Sequence, residues 1–404
     1  MSGLGLPTAG SPAELGLSAE RLERISAVLR EDVERRVIPG AVMLIARGGR
    51  VGYAEPFGFR DREKGAPMAL DAVFRVASMT KPVTSVAAMM LAEEGRLQLS
   101  APVADYLPEF KDRTVGVERV QAQRTMTVQD LLRHTSGLTY AAFGDSAVQM
   151  VWRDAGLMDE EQSNADLVQK LARLPLMFEP GTTWEYSMST DVLGRVVEVV
   201  SGQGLSQFFA ERITGPLGMA DTAFEALGDR ALRLAEPQID AATDVRPPMR
   251  NVTRPHRWAS GGGGLVSTAA DYLRFCQMLL NGGELDGRRL LSPKTVRHMA
   301  SDHLPPGCAY GETARPRFGA LAPVPEMGYG FGLGFAVRTA TGRSAVPGSL
   351  GDYFWGGVTG TYFWIDPAED LIAVFLSQAP DRRLHYRYLA RQLVYAALTG
   401  PIRR

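Results

Sequence analysis

Residues 73–85 read VFRVASMTKPVTS, with Ser78 and Lys81 three positions apart. Apolar Val83, Val86, Ala87, Met90 and Leu91 follow at helical spacing. This predicts a buried helix with the Ser78/Lys81 pair in its first turn. Side chains three apart share a helix face, and a helix N-terminus carries partial positive charge. With burial, that placement favours a neutral lysine and an anionic serine alkoxide. A capping serine beside a solvated lysine gives the same letters, and random placement supplies roughly 0.3 such pairs in a chain of this composition. Lysine is scarce, however: Lys64, Lys81, Lys111, Lys170 and Lys294 are the only lysines among 44 basic residues.

The chain has 404 residues, 45% hydrophobic and 22% charged, with a net charge of −1. That length allows two domains or one elaborated one. The neutral balance argues against a nucleic-acid partner. Cys276 and Cys308 lack metal-type spacing, and the five histidines form no HExxH, so neither a metal nor another cofactor is expected. The first residues, MSGLGLPTAGSPAELG, lack the basic and apolar regions of a secretion signal. No apolar run approaches ~18 residues, so no membrane span is expected and the cytoplasm is the expected location. Nothing in the sequence fixes an oligomeric state.

Both ends of the chain share a pattern. Residues 18–37 predict a helix capped by Ser18, with Leu22, Ile25, Leu29 and Val33 on one face. AVMLIAR (41–47), GGR (48–50) and VGYAEPFG (51–58) predict a β-hairpin. Near the C-terminus, 329–337, 353–360, 361–366 and 370–377 predict strands. A helix over 383–398 follows, with Tyr386, Leu389, Leu393 and Ala397 along one face. The middle of the chain is mainly helical periodicity and Pro/Gly loops. The expected architecture is therefore α+β. One antiparallel-sheet domain comes from residues 1–85 and 255–404, and a mainly helical domain over 86–254 is inserted between them.

Three more stretches bear on chemistry. Tyr186, in GTTWEYSMSTDVLG (181–194), follows a turn and precedes an apolar helix. A tyrosine near an ammonium can shuttle protons, although packing alone also explains an aromatic there. WGGVTG (355–360) puts two glycines inside a predicted strand, which points to a close approach by backbone or substrate, or to a bulge. SGGGGLVSTAADYLRF (260–275) has no phosphate-loop pattern; its glycines predict tight packing before a helix capped by Ser267.

In this order, FRVASMTKP (74–82), VQDLLRHTSGL (128–138), FEPGTTWEYSMSTDVLGRVVE (178–198), SGGGGLVSTAADYLRF (260–275) and WGGVTGTYFWIDP (355–367) resemble the serine β-lactamase and penicillin-binding superfamily. They resemble its class C β-lactamase-like (family VIII) carboxylesterases most closely. The resemblance implies a β-lactamase/transpeptidase-like fold and hydrolysis of a small-molecule ester, with a short acyl chain, through an acyl-enzyme on Ser78. Lys81 and Tyr186 would share general-base duty, without a choice between them. The backbone N–H groups of Ser78 and Val358 would form the oxyanion hole. Trp355, Gly356, Gly357 and Met188 would line the pocket, and loop position near the motifs adds Tyr140 and Phe143. Trp152, Trp258 and Tyr353 are further wall candidates by loop position. Acyl transfer to an alcohol, or weak cephalosporin hydrolysis, would use the same machinery.

Two positions depart from the β-lactamase pattern. Trp355 stands where that pattern has a cation, and Met188 stands where it has an asparagine, so an apolar site suited to neutral esters is expected. His134, in RHTSGL, is expected to be structural rather than part of a Ser–His pair, and Ser136 has no lysine three residues on.

Overall fold

The structure is a computed structural model that describes residues 3–240 and 242–402. Its central feature is an eight-stranded antiparallel sheet built from both chain ends. The strands are β1 (Gly40–Arg47), β2 (Arg50–Asp61), β3 (Ala66–Pro67), β4 (Tyr329–Phe331), β5 (Ala336–Arg338), β6 (Tyr353–Gly356), β7 (Tyr362–Asp366) and β8 (Leu371–Ser377). Their spatial order is β4-β5-β6-β7-β8-β1-β2-β3. Every residue of β1 is buried, so both faces of the sheet are covered.

The covering helices follow from side-chain alternation. On β7, Tyr362 and Trp364 point to one face and Phe363 to the other. Arg391 of the C-terminal helix α7 (Arg383–Ala397) lies over the Tyr362 and Trp364 rings. Tyr272 of α5 (Ala269–Leu280) packs on Phe363 from the opposite side. The N-terminal helix α1 (Ala19–Glu34) joins the α7 layer, where Tyr386 Oη donates to Asp32 Oδ2 at 2.8 Å. Ser18 caps α1 as expected, accepting from the Arg21 N–H. The helix ends at Glu34, three residues before the expected limit, because Arg36 turns into the left-handed region at φ 58°.

Beyond the sheet, α2 (Thr80–Glu93) packs on α4 (Ser189–Ser201), with the short α3 (Val128–Leu132) beside α4. α2 is buried from Thr80 to Leu91. Gly261 and Gly262 let the 260–264 turn close on α4: a Cβ at Gly262 would meet the Asp191 carboxylate. Two local expectations need correction. The predicted strand 329–337 is two strands, because Gly332-Leu333-Gly334 turns the chain and Gly334 sits at φ +104°. The cap of α5 is Thr268, not Ser267, whose hydroxyl is taken by Thr222. No helix among the described residues is long and apolar enough to cross a membrane.

Candidate active site

Ser78 lies in a single 3-10 turn (Ala77–Met79) that runs directly into α2. Ala77 holds a left-handed φ of 46°, a costly conformation for a residue with a Cβ. Neighbours hold the turn in place. Thr359 Oγ1 donates to the Arg75 carbonyl at 2.7 Å, and Thr361 Oγ1 donates to the Val76 carbonyl at 3.1 Å. Tyr272 Oη donates to the Met79 carbonyl at 2.8 Å. The 357–361 loop is thereby clamped onto the chain entering Ser78. The backbone N–H groups of Ser78 and Val358 donate to no protein group among the described residues, and both residues line a cavity of about 430 Å³.

Lys81 is buried beside Ser78. Its Nζ donates to the Gly262 carbonyl at 2.6 Å, to Tyr140 Oη at 3.1 Å and to Ser78 Oγ at 3.4 Å. Burial pulls its pKa down, but Tyr140, Tyr186 and Asp191 outweigh it, and the net shift is upward. The expectation of a neutral resting lysine is therefore corrected: this surrounding keeps the proton on Nζ. Asp191 lies behind, accepting from Ser260 Oγ at 2.5 Å and from the Gly262 N–H at 3.1 Å. Burial holds its carboxyl above the usual range against the opposing effect of Lys81.

Tyr186 stands in an aromatic cage. Its ring packs against His134 at 4.8 Å, Trp355 at 5.2 Å, Phe318 at 5.4 Å, Tyr140 at 5.6 Å and Phe143 at 5.9 Å. The Lys81 Nζ lies 4.7 Å from its ring centre. Trp355 Nε1 donates to Tyr186 Oη at 3.2 Å. His134 is buried, and burial, then Lys81, push its pKa well below the ordinary value. It is neutral, bonds Ser187 and braces Tyr186. Ser136 is engaged by Ser189 at 2.6 Å.

The two strand glycines prove to serve neighbours within the protein. A Cβ at Gly356 would meet the guanidinium of Arg387, and one at Gly357 would meet Thr361 and the Val76 carbonyl. Tyr140, Phe143, Met188, Gly356, Val358 and Trp258 line the cavity. Trp355 and Gly357 do not: Trp355 is buried behind Tyr186, and Gly357 is covered by Val76. Trp152 and Tyr353 are likewise core residues, since both rings are packed away from the opening.

Sequence reasoning missed three features: the Tyr140–Lys81 hydrogen bond, the Asp191/Gly262 support of Lys81, and a set of arginines on the wall. The wall carries Arg317 from the short helix α6 (Ala314–Phe318) and Arg383 and Arg387 from α7. The expected absence of a cation holds at position 355 alone. The Gly-rich run 260–264 was the available signal for the Gly262 contact; nothing local marked the others.

Residues 25–396 match the Beta-lactamase family model. The chain is 32% identical over 395 residues to the esterase EstB of Burkholderia gladioli, covering 92% of this chain and 93% of EstB. It is 31% identical over 335 residues to the lovastatin esterase of Penicillium rubens, covering 78% of this chain and 81% of that enzyme. Among solved structures, EstCE1, described as a hydrolase with promiscuous acyltransferase activity, superposes with a TM-score of 0.80 at 28% identity. That match covers 96% of this chain and all of EstCE1. The chain belongs to the serine beta-lactamase family, with the class C-like (family VIII) esterases.

Proposed function

We propose that the protein is a serine carboxylesterase acting through an acyl-enzyme on Ser78. The observation that carries this is the half-buried Ser78 hydroxyl at 3.4 Å from a buried lysine, at the floor of a cavity that also exposes Tyr186. Ser78 Oγ attacks the ester carbonyl carbon, and the oxyanion is received by the N–H groups of Ser78 and Val358. Lys81 Nζ, 3.4 Å from Ser78 Oγ and 4.7 Å from the Tyr186 ring centre, forms with Tyr186 the base pair beside the nucleophile. This pair takes the Ser78 proton, and Tyr186 returns it to the leaving alcohol. Water then attacks the acyl-enzyme by the same route and restores Ser78. The size of the cavity supports short acyl chains.

A second reading is supported by EstCE1: an alcohol in place of water would make the same acyl-enzyme an acyl donor. Assays with p-nitrophenyl butyrate and a chromogenic cephalosporin, beside Ser78→Ala, test the proposal. Ester turnover should exceed cephalosporin turnover and vanish in S78A, and a fluorophosphonate should label the Ser78 peptide. Ester turnover surviving in S78A, or a label on Ser136, would overturn it.

A further inference from the structure

We propose that Arg317, Arg383 and Arg387 form a carboxylate-binding subsite on the leaving-group side of the cavity, so that the preferred esters carry an anion on their alcohol portion. The proposal rests on the esterase reading and names the substrate class for it.

The cavity wall carries Arg75, Arg250, Arg317, Arg383 and Arg387, and among the described residues only Arg75 has a carboxylate within ion-pair distance, Glu236 at 3.0 Å. Arg387 is buried, and Gly356 has no side chain where its guanidinium lies. Its one protein hydrogen bond among the described residues runs from Nη2 to the Gly357 carbonyl at 2.7 Å, and its Nε is buried without a partner. Arg317 Nε is likewise buried and unpartnered, with the guanidinium 3.4 Å above the Phe143 ring. Among the described residues, Arg383 bonds only the Pro380 carbonyl. Its charge acts unfavourably on both Arg317 and Arg387, so three like charges converge. The acid nearest in effect to Arg317 is Glu185, which accepts from Thr139 Oγ1 at 3.0 Å and is pushed up to about 7 by burial, so it is a weak counter-ion.

Converging guanidiniums with free donors are built for a carboxylate, which accepts paired N–H groups in fork geometry. The side follows from Phe143, whose ring contacts both Arg317 and Tyr186. Tyr186 returns the proton to the departing alcohol, so the arginines face that half of the ester.

The test compares 4-butanoyloxybenzoate with its neutral methyl ester. The anion should be preferred in kcat/KM by about tenfold or more, and Arg317→Gln and Arg383→Gln should each reduce that ratio by about tenfold. Added salt should shrink it. In S78A, calorimetry should show 4-hydroxybenzoate binding more tightly than methyl 4-hydroxybenzoate, and the difference should vanish with R317Q. Turnover of both esters without anion preference, with no tighter binding of 4-hydroxybenzoate, would overturn the subsite while leaving the esterase reading intact. A preference indifferent to R317Q and R383Q would also overturn it. Arginine-dependent binding of 4-hydroxybenzoate with neither ester turned over would sustain the subsite and sink the esterase reading.

Discussion

Arg387 and Arg391 lie one turn apart on α7, and both are buried. Arg391 meets a carboxylate: its Nη2 and Nη1 donate to Asp352 Oδ1 and Oδ2, each at 3.0 Å, and its Nε donates to Tyr362 Oη at 2.7 Å. Arg338 adds a third contact to Asp352 at 2.7 Å. Burial works against the Arg391 charge, but Asp352 wins and the pKa rises. Among the described residues Arg387 bonds only a carbonyl, and burial pulls its pKa down to about 10. The same helix thus presents one cation neutralised by the fold and another left for something else. Lys81 is of the second kind at close range: its nearest partners are a carbonyl and hydroxyls. On this helix the cation that lacks a carboxylate contact lines the cavity, and the one that has it holds the core.

The comparison breaks most severely at Lys81. Lys81→Ala should lower ester kcat by about 10³-fold or more, because it removes the charge that supports Ser78 and Tyr186. Circular dichroism should show a native fold, and retention of most of the activity would remove Lys81 from the chemistry. The core cation should behave oppositely. Asp352→Asn leaves two buried arginines without a counter-charge and should cost about 3–5 kcal/mol in urea unfolding. Ester turnover per folded molecule should persist. A large kcat loss with unchanged stability would erase the distinction between the two kinds of site.

The sequence was most legible where one periodicity governs a segment. The α2 spacing placed Ser78 beside Lys81, and the alternation at both ends marked a shared sheet. It was least legible on α7. Counting apolar residues put Leu389 and Leu393 on the buried face, yet both are half-buried, while Arg387 and Arg391 lie inside. An arginine reads as surface unless its partner is known, and Asp352 is 39 residues away with no local pattern to announce it. Tyr140 reaches Lys81 across 59 residues for the same reason. The 355–360 glycines were recognised as a close approach, but whether substrate, Arg387 or Val76 made that approach is a tertiary fact.

An anion in the site with too little counter-charge gives a smaller effect. Glu185, beside Tyr186, has its carboxyl raised to about 7, first by burial and then by Glu312. A folded-state pKa above the unfolded value means stability present at low pH and lost as pH rises through about 7. Glu185→Gln keeps an acceptor for Thr139 and carries no charge. Its stability should exceed that of the parent by about 1–3 kcal/mol at pH ~8, with the gap closing towards pH ~4.5. A gap independent of pH would mean that Glu185 stays ionised, and Arg317 would then have a counter-ion after all.

The smallest effect tests what stands behind the cavity rather than in it. Trp355→Phe keeps a ring against Phe318, Phe331 and Tyr186, each at 5.2 Å, and deletes only the Nε1 donor to Tyr186 Oη. A single such hydrogen bond contributes about 1 kcal/mol, somewhat more when the acceptor gains charge. Ester kcat should therefore fall about five- to tenfold. KM should stay unchanged, because Trp355 does not touch the cavity. A rise in KM at constant kcat would restore Trp355 to the pocket wall, where the sequence had suggested it. A fall in kcat alone makes it a positioning residue. Its dipole then does for the Tyr186 oxygen what the carbonyl of Gly262 does for Lys81: it holds a reactive group in place.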